Sequence, residues 1–308
     1  MTVHVVGNAC IDLSFWLAGA VPAGATVLAR RWQKGPGGKG LNQATAAARV
    51  GAAVVLWAAV GDDTDAELIQ AHLVAEGISL EGLAYQAGPT DLSAIWVGPD
   101  GDNRIVSAAG QAASFRPAAD PLFAAALRPG DVVAGQGNLQ PAATEAVLAL
   151  ARERGARTAL NPSPPRDGGW PDLAAADLVV LNVEEAQAIA GAAAPEDALA
   201  RLRTMTAGAV VLTLGPAGAL LSDAAAEMRA VSTPLANAVD TSGAGDALFG
   251  TMLALWADGW PLGKALAAAV RVASRKVERP GALAGLPPAA EVRDLIGQGM
   301  QAEAGWLR

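Results

Sequence analysis

The sequence predicts an α/β fold: a mostly parallel sheet covered by helices, with a small second sheet set apart from it. Three observations carry this expectation. Short β-branched runs alternate with longer Ala/Leu-rich segments, the order that a parallel sheet with crossover helices requires. The runs are apolar at consecutive positions, as strands buried on both faces are. Two segments, Leu13–Gln33 and Asp91–Ala108, break the alternation with extended, turn-rich chain.

Taken in order, Val3–Val6 opens the core as a strand, and Lys39–Val50 follows a glycine run as the first long helix. Ala53–Ala59 is an unbroken apolar strand, and Asp65–Glu76 is polar enough for a surface helix. Asp91–Val97 and Arg104–Ala108 flank GPDGDN, where Asp-Gly between apolar runs favours a tight hairpin turn. Segments 13–34 and 90–109 are therefore expected to pair into a small lid on a single 1–308 domain. Strands Val132–Ala134, Arg157–Leu160, Leu178–Leu181 and Ala209–Leu214 then alternate with helices Pro141–Arg154, Glu184–Ala190 and Glu196–Ala207. The last third is helical, with Ala244–Ala257, Leu262–Val277 and an amphipathic stretch from Ala289 to Trp306.

Composition narrows the function. The chain has 308 residues, 52% of them hydrophobic, which suffices for a large core. A net charge of −8 disfavours nucleic acid and anionic membrane surfaces as partners. The single cysteine, Cys10, excludes an intramolecular disulfide and points to a reducing, cytoplasmic setting; its apolar neighbours make it a structural thiol. His4 and His72 are the only histidines, too few for a His-rich metal cluster. The opening MTVHVVGNACID has no basic region before an apolar core, and no apolar run reaches membrane-spanning length.

Two glycine segments carry chemistry. In Gly35-Pro36-Gly37-Gly38-Lys39-Gly40-Leu41-Asn42 the G-x-G-x-x-G spacing is met, but the first strand ends far upstream, which opposes a dinucleotide site. A Walker loop fails too, because Gly40 follows Lys39 where Ser or Thr is required and Gln33 stands at the first glycine position. What remains is a tight turn feeding a helix, with Lys39 and Asn42 near its start. Either it lets a polyhydroxylated ligand approach the backbone, or it is a plain turn with a solvated lysine. The second segment is Asp240-Thr241-Ser242-Gly243-Ala244-Gly245-Asp246, three small residues running into a helix. Its start offers unpaired N–H groups to an anion. Asp246 beside them either caps the helix or accepts a proton from an attacking hydroxyl during phosphoryl transfer. The second reading is the stronger.

GGKGLNQA followed about two hundred residues later by VDTSGAGDALFG resembles the paired motifs of the ribokinase-like (PfkB) carbohydrate kinases. VVGNACIDL, LNPSP, LNVEEA and LTLGPAG extend the likeness along nearly the whole chain. The resemblance implies a three-layer α/β/α core with a small β lid, ATP and magnesium as cofactors, and a homodimer formed through the lids. It implies that Asp246 is the general base and that Gly243, Ala244 and Gly245 supply anion-hole amides. Asp12, Gly38, Lys39, Asn42 and Asn138 would hold the sugar. Asn182, Glu185, Thr213, Gly215, Gly218 and Gly245 would serve the nucleotide, with Glu185 acting on magnesium through water. Asp240, Ser242, Lys276, Arg279, Gly281 and Gly285 match loops that in some members bind a monovalent cation such as potassium, largely through backbone oxygens.

Two departures leave the substrate open. Asn138 stands where ribokinases usually place an acidic sugar ligand, and Cys10 where they usually place an asparagine. An amide donates as well as accepts and has no charge, so the preferred hydroxyl pattern can differ. The expected activity is phosphorylation of a hydroxymethyl group on a small sugar, most nearly ribose. Fructose or its phosphate, a 2-keto-3-deoxy sugar acid and a nucleoside are the alternatives, as is a silent sugar- or nucleotide-binding protein. Intact Asp246 and its glycine loop oppose the silent reading.

Overall fold

The first strand, β1 (Thr2–Val6), sits in the middle of the main sheet, and its alternating side chains fill two separate cores. Val3 and Val5 face one helical layer and Val6 the other, each almost fully buried. A computed structural model describes residues 1–98, 103–166, 169–223 and 228–302. After β1 the chain forms β2 (Cys10–Trp16), β3 (Arg31–Gly37), α1 (Lys39–Val50), β4 (Ala53–Val60), α2 (Thr64–Ala75), β5 (Leu83–Tyr85), β6 (Leu92–Val97) and β7 (Asn103–Ala108). Two short helices follow, α3 (Gly110–Ser114) and α4 (Pro121–Ala126), then β8 (Val132–Gln136), α5 (Pro141–Glu153), β9 (Arg157–Asn161) and β10 (Leu178–Asn182). The chain continues through α6 (Val183–Ala190), α7 (Pro195–Met205), β11 (Ala209–Thr213), β12 (Ala219–Ser222) and β13 (Met228–Val231). It ends in α8 (Ala244–Ala257), α9 (Leu262–Lys276) and α10 (Ala289–Ala302).

The nine-stranded sheet runs β13-β12-β11-β10-β9-β8-β1-β4-β5, parallel from β11 through β5 and antiparallel at β12 and β13. Leu178 and Val180 of β10 turn toward the layer that holds α1, α8 and α9, while Val179 and Leu181 turn toward α6 and α7. Burial of both faces is why these strands read as continuous apolar runs. The same argument explains why β13 was hidden, and shortness why β12 was. The strand β13 is a short, mostly exposed edge, and its partner β12 has only four residues.

A separate four-stranded sheet has the order β3-β2-β6-β7. Its strands come from the two segments that broke the strand–helix alternation. One expectation about them changes. Gly35-Pro36-Gly37 is not a turn: it completes β3, with Gly35 opposite Asp12 and Gly37 opposite Cys10. The chain reverses only at Gly38, whose φ of +100° suits glycine. Residues 99–102 of the expected hairpin turn, and the end of the last amphipathic stretch beyond Ala302, lie outside the described residues.

Topology places the site. The chain leaves β1 for β4 on one side of the sheet and leaves β8 for β9 on the other, although β1 and β8 are neighbours. In open α/β sheets ligands bind in the crevice beyond the strand carboxyl ends, where the order reverses. Above that crevice α1 and α8 pack closely. An added Cβ at Gly250 would lie 2.3 Å from the Gln43 carbonyl oxygen and 2.7 Å from the Ala46 Cβ. Gly250→Ala should therefore cost about 1–3 kcal/mol, read as a lowered urea midpoint with unchanged slope. An unaltered midpoint would show that the two helices are not held at this separation.

Candidate active site

Lys39, Asn42 and Gln43 lie three and four residues apart on α1, so they share one face. That face meets Asp246 in the first turn of α8. Asn42 Nδ2 donates to Oδ2 at 3.0 Å, Gln43 Nε2 to Oδ1 at 3.0 Å, and Lys39 Nζ lies 3.4 Å from Oδ1. Asp246 is 6% exposed, and a carboxylate so buried needs this full set of donors. No side chain caps α8 at Gly243, which holds φ +75°. Capping therefore does not account for Asp246: its oxygens point across to another helix.

A polar network backs the clamp. Gln43 Nε2 is also 3.3 Å from Asn161 Oδ1, Gln136 Nε2 donates to Gln43 Oε1 at 2.7 Å, and Asn161 Nδ2 donates to the Val180 carbonyl at 2.9 Å. Sequence reasoning missed Gln43, Gln136 and Asn161 as members of the site. Gln43 was within reach, because it is one helical turn after Lys39. Gln136 and Asn161 each end an apolar strand at the sheet edge where ligands bind, which is the signal that would have found them.

The first glycine run also packs the chain against itself. Asn8, just after β1, accepts the Gly40 N–H on Oδ1 at 3.3 Å and the Leu41 N–H on its carbonyl at 3.1 Å. An added Cβ at Gly40 would sit 2.7 Å from the Asn8 carbonyl oxygen, and one at Gly38 would sit 3.0 Å from Asn8 Nδ2. The absent side chains let α1 dock on the end of β1, and two helix-start amides are engaged by Asn8.

On the small-sheet side, Cys10 Sγ lies 3.6 Å from Asp12 Oδ1 and 3.8 Å from Ser93 Oγ, which in turn is 2.8 Å from Ser107 Oγ. Burial pushes the Cys10 thiol up, and the Asp12 charge adds to that, so it stays protonated. Burial likewise pushes Asp12 up to about 6; the Cys10 S–H pulls it back and the Asp246 charge pushes it further. Across the crevice, the Asn138 carbonyl accepts Arg166 Nε at 2.8 Å and also the Nη2 group, while Asn138 Oδ1 is buried without a partner. Asn42 Oδ1 and Gln136 Oε1 are in the same condition.

Around the α8 start, Ala244 N–H donates to the Thr241 carbonyl at 3.2 Å, so of the three expected anion-hole amides this one already has an acceptor. The space before Gly245 is open for 4 Å around an added Cβ. Asp240 accepts the Ser242 N–H at 2.8 Å and the Gly281 N–H at 2.7 Å, which hold its carboxyl below the usual range despite burial. Lys276 Nζ donates to the Asp240 carbonyl at 2.9 Å, and Arg279 instead pairs with Glu291 at 2.6 Å. From the small sheet, Asn103 Nδ2 donates to Ser242 Oγ at 2.7 Å, a contact the sequence did not suggest.

Residues 2–289 match the model of the pfkB family carbohydrate kinases. The chain belongs to that family. A ribokinase of Bacillus subtilis is 30% identical over 294 residues, covering 96% of this chain and 99% of the relative. The crystal structure of a Thermotoga maritima ribokinase superposes with a TM-score of 0.85 at 26% identity, over 96% of this chain and 99% of that one. An Arabidopsis thaliana ribokinase solved with ribose and ATP has the same fold, at a TM-score of 0.83 and 23% identity over 96% and 98% of the two chains. The protein is a ribokinase-like sugar kinase.

In this kinase the residues expected to serve the nucleotide lie at the carboxyl ends of the next strands. Asn182 and Glu185 form a capping box on α6: Asn182 Oδ1 accepts the Glu185 N–H at 2.8 Å, and Glu185 Oε2 accepts the Asn182 N–H at 3.1 Å. Thr213 ends β11, and Gly215 and Gly218 shape the turn into β12. Gly218 has φ +99°, and an added Cβ there would fall 1.9 Å from the Val231 carbonyl oxygen. His4 and His72 are accounted for by Trp57 Nε1–H at 3.1 Å and Thr45 Oγ1 at 2.9 Å. Among the described residues no group of three or more His, Cys, Asp or Glu could hold a metal, and no helix is long and apolar enough to cross a membrane.

Asp12 yields a stability prediction. Its folded-state pKa lies above the unfolded value, so between about pH 4 and 6 folding takes up a proton and stability falls as pH rises. Asp12→Asn should be more stable than the parent near pH 7.5 by about 1–3 kcal/mol in urea unfolding, with the gap closing below about pH 4. A variant less stable near neutrality would show that favourable bonds, not burial, dominate at Asp12.

Proposed function

We propose that this kinase transfers the γ-phosphoryl group of ATP, carried with magnesium, to a hydroxymethyl group of a small sugar, with ribose the first candidate. One observation carries the reading: a buried carboxylate at an uncapped helix start, held by side-chain donors from a facing helix. Asp246 accepts the hydroxyl proton as the sugar oxygen bonds to the γ-phosphorus. The bond between that phosphorus and the bridging oxygen breaks, and ADP leaves. Amides of Gly243 and Gly245 steady charge on the transferred group, and Lys39 adds a cation beside it.

Asp12, Gly38, Lys39, Asn42 and Asn138 hold the sugar. The buried, unpartnered oxygens of Asn42 and Asn138 support this, because a sugar hydroxyl would supply the donor each lacks. Protonated or ionised, Asp12 can meet a hydroxyl, and Cys10 beside it replaces an amide by a weak donor. Asn182, Thr213, Gly215 and Gly218 line the nucleotide side. Glu185 uses Oε2 for its cap, which leaves Oε1 for a magnesium-bound water. Magnesium, when bound with ATP, neutralises charge on the phosphates.

The small sheet acts as a lid that shields the transfer from water; the Asn103–Ser242 bond supports this, since it joins that sheet to the loop before α8. Exposed Trp32, Ile105 and Val106 on its edge strands would be covered by a second copy, giving a homodimer. The single thiol and the charge of −8 fit a cytoplasmic enzyme without nucleic-acid or membrane partners.

An ADP-release assay over pentoses, hexoses, sugar acids, sugar phosphates and nucleosides tests the activity. A preference for ribose is expected; one for fructose, fructose phosphate, a 2-keto-3-deoxy sugar acid or a nucleoside would trace to Asn138 and Cys10, and silence on every substrate would favour a binding protein. Asp246→Asn should lower turnover by at least about 10²-fold with ATP affinity within about threefold of the parent. Near-parental turnover would remove Asp246 from the base role.

A further inference from the structure

Lys276, the last residue of α9, is a fully buried lysine, 0% exposed, lodged between two loops rather than in a solvent-facing helix end. Its Nζ donates to the Asp240 carbonyl at 2.9 Å. Desolvation opposes its charge, while the carboxylates of Asp240 and Asp246 favour it. The same two loops are stitched together around it. The N–H groups of Val239 and Asp240 donate to the Val277 carbonyl at 2.7 and 3.0 Å, and the Gly281 N–H reaches the Asp240 carboxylate at 2.7 Å. Gly243, at the start of the anion hole, lies so close to the second loop that an added Cβ would be 2.9 Å from the Ala282 Cα.

This is where a monovalent cation was expected, and the residues present do not fit one. The Asp240 carbonyl already faces an ammonium. The Lys276 carbonyl accepts the Arg279 N–H at 3.0 Å, and the Gly281 carbonyl accepts the Gly285 N–H at 2.9 Å. The lysine stem fills the space itself, since an added Cβ at Gly285 would lie 3.0 Å from Lys276 Cε. A second positive ion there would meet the ammonium at close range with no free carboxylate between them.

We propose that Lys276 is a built-in monovalent cation: its ammonium holds the 240–243 loop against the 277–285 loop, and the kinase therefore needs no potassium for turnover. The inference deepens the kinase reading above and rests on it. An ammonium group and a potassium ion both seek carbonyl oxygens, but a tethered one is always present. Lys276 is a positioning residue, because it acts through Asp240 on the amides at the α8 start and adds fixed positive potential behind them.

The test compares parent and Lys276→Met in potassium, ammonium, sodium and choline chlorides at equal ionic strength, by sugar-dependent ADP release and by thermal unfolding. Parent turnover should agree within about twofold in all four salts. Lys276→Met should lose at least about 10-fold in choline and regain most of it in potassium or ammonium, but not in sodium. Its melting temperature should rise with potassium over choline, whereas that of the parent should not. Several-fold activation of the parent by potassium would overturn the proposal. So would a folded variant equally active in every salt, or inactive in every salt. If the variant does not fold, the salt response of the parent decides alone. A parent without sugar-dependent turnover in any salt would instead defeat the kinase reading, and a potassium-specific rise in its melting temperature would still overturn the role of Lys276.

Discussion

A carboxylate taken out of water must find its hydrogen bonds in the protein, and Asp246 finds them on a helix two hundred residues away in sequence. The rest of the site follows from that requirement. The α1 helix must present Lys39, Asn42 and Gln43 on one face, so it must start at a fixed place above β1. It must also lie close enough to α8 for short amide side chains to reach, which Gly250 permits by offering no side chain against the Gln43 backbone. Gln43 in turn is oriented by Gln136 and Asn161, at the ends of β8 and β9. A single buried charge thus ties two helices to three central strands.

Glycines set the spacing of these parts. Gly40 brings α1 onto Asn8, Gly218 brings the β11–β12 turn onto β13, and Gly243 brings the α8 start onto the loop at Ala282. In each case a β-carbon would strike main chain, which cannot swing aside as a side chain can. The sheet supplies the other half of the arrangement. Its order reverses between β1 and β8, so the crevice between their carboxyl ends is left free of crossover connections. The small sheet projects beside that crevice because β2 and β3 interrupt the passage from β1 to α1.

The polar groups around the crevice fall into two kinds. Those behind Asp246 are joined side chain to side chain through Gln43, although Gln136 Oε1 has no partner. Those in front, the oxygens of Asn42 and Asn138, are buried with no partner, and Asp12 is held at a carboxyl pKa of about 6 by the same dryness. Unmet acceptors of this kind reduce stability and are found where a ligand completes the set.

Much of this was legible in the sequence. Continuous apolar runs marked the strands buried on both faces, and α1 and α8 began and ended where the glycine segments and helical patterns placed them. The two glycine motifs marked both helix starts and singled out Asp246. The strands β12 and β13 were not legible: β12 is buried but only four residues long, and β13 is a short exposed edge, so neither carries much pattern. Nor were the partners of Asp246. Gln43, Gln136 and Asn161 are ordinary polar residues at the ends of separate elements, and only their convergence makes a network. Lys276 read as one of several residues near a cation loop; its burial against the Asp240 carbonyl is a fact of packing. The sequence by itself determined the family and the layers and drew attention to Asp246, since those rest on local pattern and contiguous motifs. Tertiary structure alone decided which side chains hold Asp246 and that Lys276 is buried against the Asp240 carbonyl, because hydrogen-bond partners and filled space are set by parts of the chain that local pattern does not connect.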